Sequence, residues 1–134
     1  MGATRSPKTS AGLTLDAGAL IAIDRGDRRM IALLQQAVKA RIGIRVPAGV
    51  VGQVWRRGAR QATLARFLRS REVEVPALDE YVARAAGELC GLTGTADVID
   101  ASVVLTARNE HDSILTSDPD GLRKLDAALM IERV

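Results

Sequence analysis

The sequence has very few aromatic side chains and a single cysteine. Trp55, Phe67 and Tyr81 are the only aromatic residues among 134, which argues against a surface that binds RNA by stacking bases on rings. Cys90 stands alone, so the chain has neither a disulfide framework nor a cysteine metal site. The core must therefore be built from aliphatic side chains, and any chemistry must come from other residue types.

Long apolar runs are also missing. No run approaches the roughly 18 apolar residues of a membrane span, and residues 1–11 lack the apolar core of a signal peptide. A chain of 134 residues, 47% of them hydrophobic, is long enough for one compact domain. We therefore expect a cytoplasmic protein without membrane contact, with a flexible N-terminal tail, 1–11, and a single domain, 12–134.

Positive and negative charges are distributed unevenly along the chain. Residues 1–71 carry 14 Lys/Arg and 3 Asp/Glu, whereas residues 72–134 carry 5 and 13. Six arginines and no acid lie between Gln53 and Arg71, a pattern that suits a polyanion or an acidic partner. A solvated helix surface in an arginine-rich chain explains the same pattern equally well, so charge alone leaves both interpretations open.

Hydrophobic periodicity and turn residues predict strands that alternate with helices. The predicted strands are 12–16, 42–46, 72–75, 113–116 and 129–134. The predicted helices are 17–23, 28–40, one that Pro47 opens and Gly58 ends, 60–70, 79–92, one from Asp97 to about His111, and a short one around Leu122. This alternation predicts an α/β fold, a three-layer sandwich with a central, largely parallel sheet.

Four aspartates fall where this fold places ligands. Asp16 ends the first strand, and Asp118 lies two residues beyond strand 113–116. Asp97 and Asp100 begin the helix that leads into that strand, and residues three apart share a helix face. Ligands bind outside the carboxyl ends of parallel strands, where the strand order reverses. We expect the four carboxylates to meet at that edge if the two strands are neighbours.

Four like charges in a low-dielectric setting repel one another unless a cation neutralises them. Oxygen ligands without His or Cys favour Mg²⁺ or Mn²⁺, which can activate a water and offset charge on a phosphodiester. Each acid also has a plainer interpretation as a helix cap, a first-turn acid or a turn residue. The convergence of all four at one edge favours the metal site over four independent caps.

Other catalytic devices are scarce. The chain has no glycine-rich phosphate loop, and no nucleophile-elbow sequence surrounds Ser102 or Ser117. His111 is expected to be a residue at a helix C-terminus, and Cys90 is expected to be buried between Leu89 and Leu92.

Four motifs in this order resemble those of PIN-domain nucleases, in particular the VapC toxins of bacterial toxin–antitoxin pairs. The motifs are LDA at 15–17, VPAGVVGQVWRR at 46–57, ADVIDA at 96–101 and LTSDP at 115–119, and the resemblance spans residues 13–125. It implies a Mg²⁺- or Mn²⁺-dependent endoribonuclease, usually a homodimer, inhibited by a small VapB-type antitoxin. Such an antitoxin often places a basic side chain in the acidic pocket.

The resemblance also implies roles for individual residues. Asp16, Asp100 and Asp118 match the family's metal-binding, catalytic acids, and Asp97 is a further acid that some relatives have one turn earlier. Gln53 departs from the pattern, because the family usually has Glu there. An amide keeps the shape but removes a charge and a ligand, so we expect weaker metal binding and an attenuated nuclease.

Three hypotheses follow for the function. In the first, the protein cuts RNA at the metal site while arginines of the block 56–71, with Arg56, Arg57 and Arg60 foremost, bind phosphates. In the second, the protein keeps the fold as a catalytically impaired binding module that acts through protein or RNA contacts. The third is an unrelated α/β enzyme such as a phosphotransfer domain, and it is the weakest because Asp16 lacks a paired acid and a lysine.

Overall fold

A computed structural model describes residues 12–133 of the chain. The predicted tail, residues 1–11, and the last residue of the predicted final strand, Val134, lie outside this range. The strands are β1 (Gly12–Leu15), β2 (Gly43–Arg45), β3 (Val73–Glu74), β4 (Ser113–Thr116) and β5 (Ile131–Arg133). The helices are α1 (Ala17–Asp24), α2 (Arg28–Lys39), α3 (Ala48–Val54), α4 (Ala62–Leu68), α5 (Glu80–Thr93), α6 (Val98–Glu110) and α7 (Pro119–Arg123), with a short 3-10 helix, Gly58–Arg60, between α3 and α4.

The five strands form one parallel sheet in the order β3-β2-β1-β4-β5. This confirms the predicted α/β fold and its parallel sheet. The chain moves outward from β1 through β2 to β3 and then returns to the other side of β1 as β4 and β5. Right-handed crossovers therefore place α1 to α4 over one face of the sheet and α5 to α7 over the other.

Aspartates begin five of the seven helices. The side chains of Asp16, Asp27, Asp79, Asp97 and Asp118 each accept a hydrogen bond from a backbone N–H in the first turn of the helix that follows. An aspartate at this position satisfies a donor that the helix itself leaves unpaired. The capping role predicted for Asp16, Asp27 and Asp97 is confirmed.

The helix that begins after Pro47 ends earlier than predicted. α3 stops at Val54, because Trp55 adopts an extended backbone with φ −68° and ψ 120°. Gly58, predicted to end that helix, instead begins the 3-10 helix, and α4 is confined to Ala62–Leu68. The prediction of both boundaries was wrong because a distant side-chain contact, described below, fixes the loop between them.

The core lies on both faces of the sheet and consists of aliphatic side chains, as the composition predicts. The buried face of α6 contributes Ala101, Val103, Val104 and Ala107, and α6 packs on β1 and β4. Within residues 12–133 no single helix is long and apolar enough to cross a membrane. α5 and α6 satisfy such a criterion only as a pair, and the chain bends by 104° between them.

A buried ion pair closes the amino end of the sheet. The side chain of Asp112 is fully buried, and its carboxylate accepts hydrogen bonds from Arg45 Nη1 at 2.9 Å and from Thr14 Oγ1 at 2.7 Å. Arg45 also pairs with Glu74 at 3.1 Å and Glu110 at 3.2 Å. A Cβ on Gly12 would lie 2.6 Å from the backbone carbonyl oxygen of Gly43 and 3.0 Å from both Arg45 Nη1 and Asp112 Oδ1, so a side chain there would collide with β2 and crowd this pair.

Candidate metal centre

Asp16 and Asp118 follow two strands that are direct neighbours. β1 pairs with β4, with Leu15 opposite Leu115, so both aspartates leave the sheet at its carboxyl edge. The chain leaves β1 toward β2 on one side and reaches β4 on the other, which makes this edge the point where the strand order reverses. The condition on which the predicted convergence depends is therefore met.

Asp16 is held rigidly and is almost withdrawn from water. Its side chain is 6% exposed, Oδ1 accepts the Ala19 N–H at 3.0 Å and Oδ2 accepts the hydroxyl of Thr116. Burial raises the pKa of Asp16, a tendency that these hydrogen bonds oppose and that the charge of Asp118 reinforces. Asp16 is thus both the predicted helix cap and a carboxylate that faces another one.

Thr116 joins the two aspartates, and sequence reasoning missed this role. Its hydroxyl donates to Asp16 Oδ2 and accepts the backbone N–H of Asp118 at 2.8 Å. Thr116 is fully buried at the end of β4. A hydroxyl residue at the last buried position of a strand, two residues before a candidate ligand, is the signal that would have identified it.

Asp97 and Asp100 occupy the first turn of α6, as predicted. Asp97 Oδ1 accepts the Asp100 N–H at 2.9 Å. The pKa of Asp100 is raised to about 6, first because the carboxyl is partly buried, and then because Asp97, Asp16 and Asp118 place negative charge around it. Asp100 is therefore the carboxyl at which the negative charge of the other three predicted aspartates is felt.

Asp118 is the fourth carboxylate, and it lies at the mouth of the site. Its Oδ1 accepts the Gly121 N–H at 3.2 Å at the start of α7. A side chain at Gly121 would collide with the Asp118 carboxylate. Asp118 thus takes the turn position predicted for it and also follows the strand next to that of Asp16. A role as a helix cap therefore does not exclude a role in the acidic edge.

Two glycines allow the surrounding elements to approach the site. A Cβ on Gly18 would collide with Oγ of Ser117, which brings the first turn of α1 against the loop between β4 and α7. A Cβ on Gly49 would collide with the side chain of Ile99, so the start of α3 packs against the start of α6. The acidic edge is thus enclosed by α1, α3, α6 and the loop after β4.

Gln53 lies on α3, four residues after Gly49 and therefore on the same side of the helix. Its side chain is exposed. The residue therefore occupies the helix face that approaches α6, on the exposed part of that face rather than in the core.

The chemistry of the four carboxylates fits a divalent cation. All are oxygen donors, and burial together with neighbouring negative charge raises the pKa of Asp16 and of Asp100. Within residues 12–133, no group of three acidic, imidazole or thiol side chains is arranged to hold a metal ion as it stands. Mg²⁺ tolerates such an open set, because it usually keeps several waters and uses few protein carboxylates.

The three arginines predicted to bind RNA are exposed and belong to the segment 55–60, here called the basic loop. Arg56 Nη1 donates to the carbonyls of Gly52 at 3.0 Å and Trp55 at 2.8 Å. Its positive charge therefore lies at the C-terminus of α3, where it interacts favourably with the helix dipole. Arg57 lies at the start of the 3-10 helix and Arg60 at its end.

Two residues take the structural positions predicted for them. His111 ends α6 in a left-handed conformation with φ 59°, and Cys90 is buried on α5. Both lie outside the acidic edge.

A groove of about 670 Å³ runs from the acidic edge along α1 and α2. Gly18 and Ser117 line it at the acidic end, and its walls combine apolar side chains with charged ones of both signs, Ile21, Met30, Leu33, Arg25, Arg29 and Asp27 among them. Sequence reasoning did not anticipate this groove, because it forms between two helices whose relative position the sequence does not show.

The sheet order, the helices on both faces and the acidic edge together define a PIN-type α/β fold. No protein-family model matches the sequence, and no curated protein matches it. Solved structures do match by shape. The VapBC2 complex of Rickettsia felis, bound to a DNA fragment from its promoter, contains a chain with a TM-score of 0.67 and 17% identity, over 91% of this chain and 98% of that one.

Two further structures agree. A chain of FitAB bound to the IR36 DNA fragment gives a TM-score of 0.62 at 14% identity, covering 90% of this chain and 94% of that one. A chain of FitAcB from Neisseria gonorrhoeae gives 0.59 at 16% identity, covering 89% and 95%. The resemblance to VapC-like PIN-domain proteins is therefore confirmed for the fold.

Proposed function

We propose that the protein is a metal-dependent endoribonuclease that acts as the toxin of a toxin–antitoxin pair. The proposal rests on the position of Asp16 and Asp118 after neighbouring strands, at the strand-order reversal of a PIN-type fold. It is supported by the pKa of Asp100, which burial and the charges of Asp97, Asp16 and Asp118 raise to about 6. Carboxylates grouped at one edge of a sheet repel one another and destabilise the fold, so stability alone does not explain their presence. Such an arrangement is typical of a site completed by a cation.

Asp16, Asp100 and Asp118 would hold Mg²⁺ or Mn²⁺, with Asp97 as a further acid. The bound ion would supply a water of lowered pKa and positive charge against the phosphodiester. The chain's own contribution is orientation: Ala19 and Thr116 fix the two oxygens of Asp16, and the Gly121 N–H fixes Asp118. The exposed arginines of the basic loop would neutralise RNA phosphates.

Gln53 is the position at which we expect reduced activity. Its amide brings no negative charge to α3, so the ion would depend on the four aspartates. We therefore propose an attenuated nuclease.

A cognate VapB-like antitoxin is the protein partner that the proposal implies. The complexes solved for the similar folds are VapBC2, FitAB and FitAcB. In this chain, the groove along α1 and α2 reaches Gly18 and Ser117 beside the acidic edge, and a basic side chain of the antitoxin placed there would relieve the carboxylate repulsion.

A homodimer is the second assembly that we propose. Large apolar side chains remain exposed on α5, with Tyr81 81% and Leu92 86% accessible, and a subunit interface would cover such residues. Sedimentation equilibrium of the isolated chain should give twice the mass of 14.3 kDa. A monomer at micromolar concentration would contradict this part of the proposal.

The test is cleavage of total RNA in Mn²⁺ or in EDTA, with the wild type beside Asp16→Asn. Asparagine caps a helix as well as aspartate does, so this variant should fold while losing a ligand. Asp120→Asn, at an exposed position in the first turn of α7, controls for loss of charge alone. We expect cleavage by the wild type and by Asp120→Asn in Mn²⁺ only.

Cleavage that persists in EDTA, or in Asp16→Asn, would refute the metal mechanism. No cleavage under any condition, together with tight binding of a basic protein partner, would instead identify the chain as a non-catalytic binding module.

A further inference from the structure

We propose that Gln61 is a positioning residue that holds the basic loop, residues 55–60, in the shape that binds RNA. The inference rests on the proposed function, because it assigns an RNA-binding task to that loop. Gln61 is the residue that precedes α4, and it belongs neither to the basic loop nor to the acidic edge. It is 7% exposed, which is unusual for a glutamine.

The Gln61 amide makes four hydrogen bonds, three with the backbone around the loop and one with Asp24 on α1. Oε1 accepts the backbone N–H of Arg56 at 2.8 Å and that of Arg57 at 3.0 Å. Nε2 donates to the carbonyl of Val54 at 3.0 Å and to Asp24 Oδ2 at 3.2 Å. The Gln61 side chain thus pairs the N–H groups of Arg56 and Arg57 and the carbonyl of Val54, which are backbone groups at and beyond the end of α3.

These bonds bend the chain after α3. The N–H groups of Arg56 and Arg57 turn toward Gln61 instead of continuing the helix, which explains why α3 ends at Val54. The turn is tight, because a Cβ on Gly58 would lie 3.0 Å from the Trp55 ring. Three arginines are therefore displayed within six residues on a fixed backbone.

The bond to Asp24 ties the loop to the helix that carries the proposed site. α1 begins at its cap Asp16 and ends at Asp24, eight residues later, which corresponds to about 12 Å along a helix. α1 also packs against α3 and α4 on either side of the loop. An RNA strand that lies at the acidic edge would thus meet the loop a few nucleotides away.

Gln61 also gives the carboxylate of Asp24 a neutral hydrogen-bond donor. Asp24 is the acid that contacts this region, and the amide Nε2 accepts no hydrogen bond, so it can neighbour a carboxylate and a carbonyl together. A glutamate at position 61 would set a second carboxylate against Asp24 and the Val54 carbonyl. Repulsion would then open the loop at neutral pH and raise the pKa of the new carboxyl.

The experiment is RNA binding in EDTA, so that no cleavage is required, by the full chain and by Gln61→Glu. At pH 7.5 we expect roughly tenfold weaker binding and a smaller salt dependence, with the slope of log K against log salt reduced by about 0.7 for each lost phosphate contact. At pH 5.5 a larger fraction of the new carboxyl is protonated and has regained a donor, so the affinity should move toward that of the wild type at the same pH. Gln36→Glu, on the exposed face of α2, adds the same charge without touching the loop.

Equal affinity and salt dependence of Gln61→Glu and Gln36→Glu at pH 7.5 would overturn the inference. If Gln61→Glu does not fold, Gln61→Met removes the hydrogen bonds without adding charge. The loss of RNA affinity in Gln61→Met should not add to the loss in Arg57→Ala, because both substitutions remove the contact of the Arg57 side chain with RNA. Full additivity of the two losses would overturn the inference as well. Failure of the wild type to bind RNA at all would instead reject the proposed function.

Discussion

The hydroxyl of Thr116 donates to Asp16 Oδ2 and at the same time accepts the backbone N–H of Asp118. One buried side chain therefore links the carboxylate of Asp16 to the backbone of Asp118, two residues that about a hundred positions separate in the sequence. Substituting Thr116→Val should reduce cleavage by about 10- to 100-fold, the usual effect of losing a hydrogen bond to a metal ligand. The rate under saturating Mn²⁺ measures this effect.

The same substitution should lower the free energy of unfolding by about 1–2 kcal/mol, because the Asp118 N–H loses its acceptor. Thr106→Val, on the partly exposed side of α6, is the matched control and should cleave normally. An unchanged rate in Thr116→Val would show that the hydroxyl does not orient Asp16.

Asp100→Asn should abolish cleavage and yet stabilise the protein in EDTA at pH 7. The substitution removes the carboxylate whose pKa is raised to about 6 by burial and by Asp97, Asp16 and Asp118. A gain of roughly 1 kcal/mol corresponds to a rise of about 3–5 °C in the melting temperature for a domain of this size. Differential scanning calorimetry measures it, and a lower melting temperature than the wild type would contradict the repulsion described here.

The stability of the metal-free protein should fall as the pH rises from about 4 to 6. The folded pKa of Asp100 lies above its ordinary value of 3.8, so the folded state binds the extra proton in this interval and loses that advantage as the proton dissociates. Mn²⁺ binds the deprotonated form, so its stabilising effect should be larger at pH 7.5 than at pH 5. Thermal melts with and without Mn²⁺ at both pH values test this, and equal shifts would argue against binding at the carboxylates.

Gln53→Glu should tighten Mn²⁺ binding by about tenfold, equivalent to about 1.4 kcal/mol. The new carboxylate would lie on the exposed part of the α3 face that approaches α6, and it would replace an amide with a ligand. Isothermal titration calorimetry compares it with Gln36→Glu, which adds a charge on α2. The same affinity in both variants would remove residue 53 from the site.

Arg45→Met should destabilise the fold by about 3 kcal/mol without changing the cleavage rate of the folded fraction. It leaves Asp112, whose side chain is fully buried, without its partner, and an uncompensated buried charge is strongly destabilising. Burial already raises the pKa of Asp112 despite that pairing. Arg108→Met breaks the more exposed pair with Asp126 and should change stability by less than about 1 kcal/mol; chemical denaturation separates the two.

The sequence predicts the elements that carry the acids better than it predicts their surroundings. Strand Ser113–Thr116 matches at both ends, because a short β-rich run lies between a helix end and an Asp-Pro turn. The caps Asp16 and Asp97 were also predictable from local sequence, because each aspartate accepts the backbone N–H of the residue three positions later. The sequence does not show that β1 and β4 are adjacent in the sheet, and the predicted meeting of Asp16 and Asp118 depended on that pairing.

Gln61 and Thr116 illustrate why the rest was not predictable. Each acts through contacts with residues distant in sequence, Asp24 for Gln61 and Asp16 for Thr116. A polar side chain in an apolar segment gives no indication of its partner. The early end of α3 followed from such a contact, and local glycine and arginine patterns therefore misplaced it by four residues.

The position of β1 in the sheet has a consequence for how the protein opens. β1 is paired on both sides, with β2 and β4, whereas β3 and β5 each have one neighbour. Amide protons of β1 and β4 should therefore exchange only through global unfolding, while the edge strands exchange through local fraying. Asp16 and Thr116 sit on that last-opening pair, so the carboxylate cluster should persist in every partly opened form that still contains the central strands.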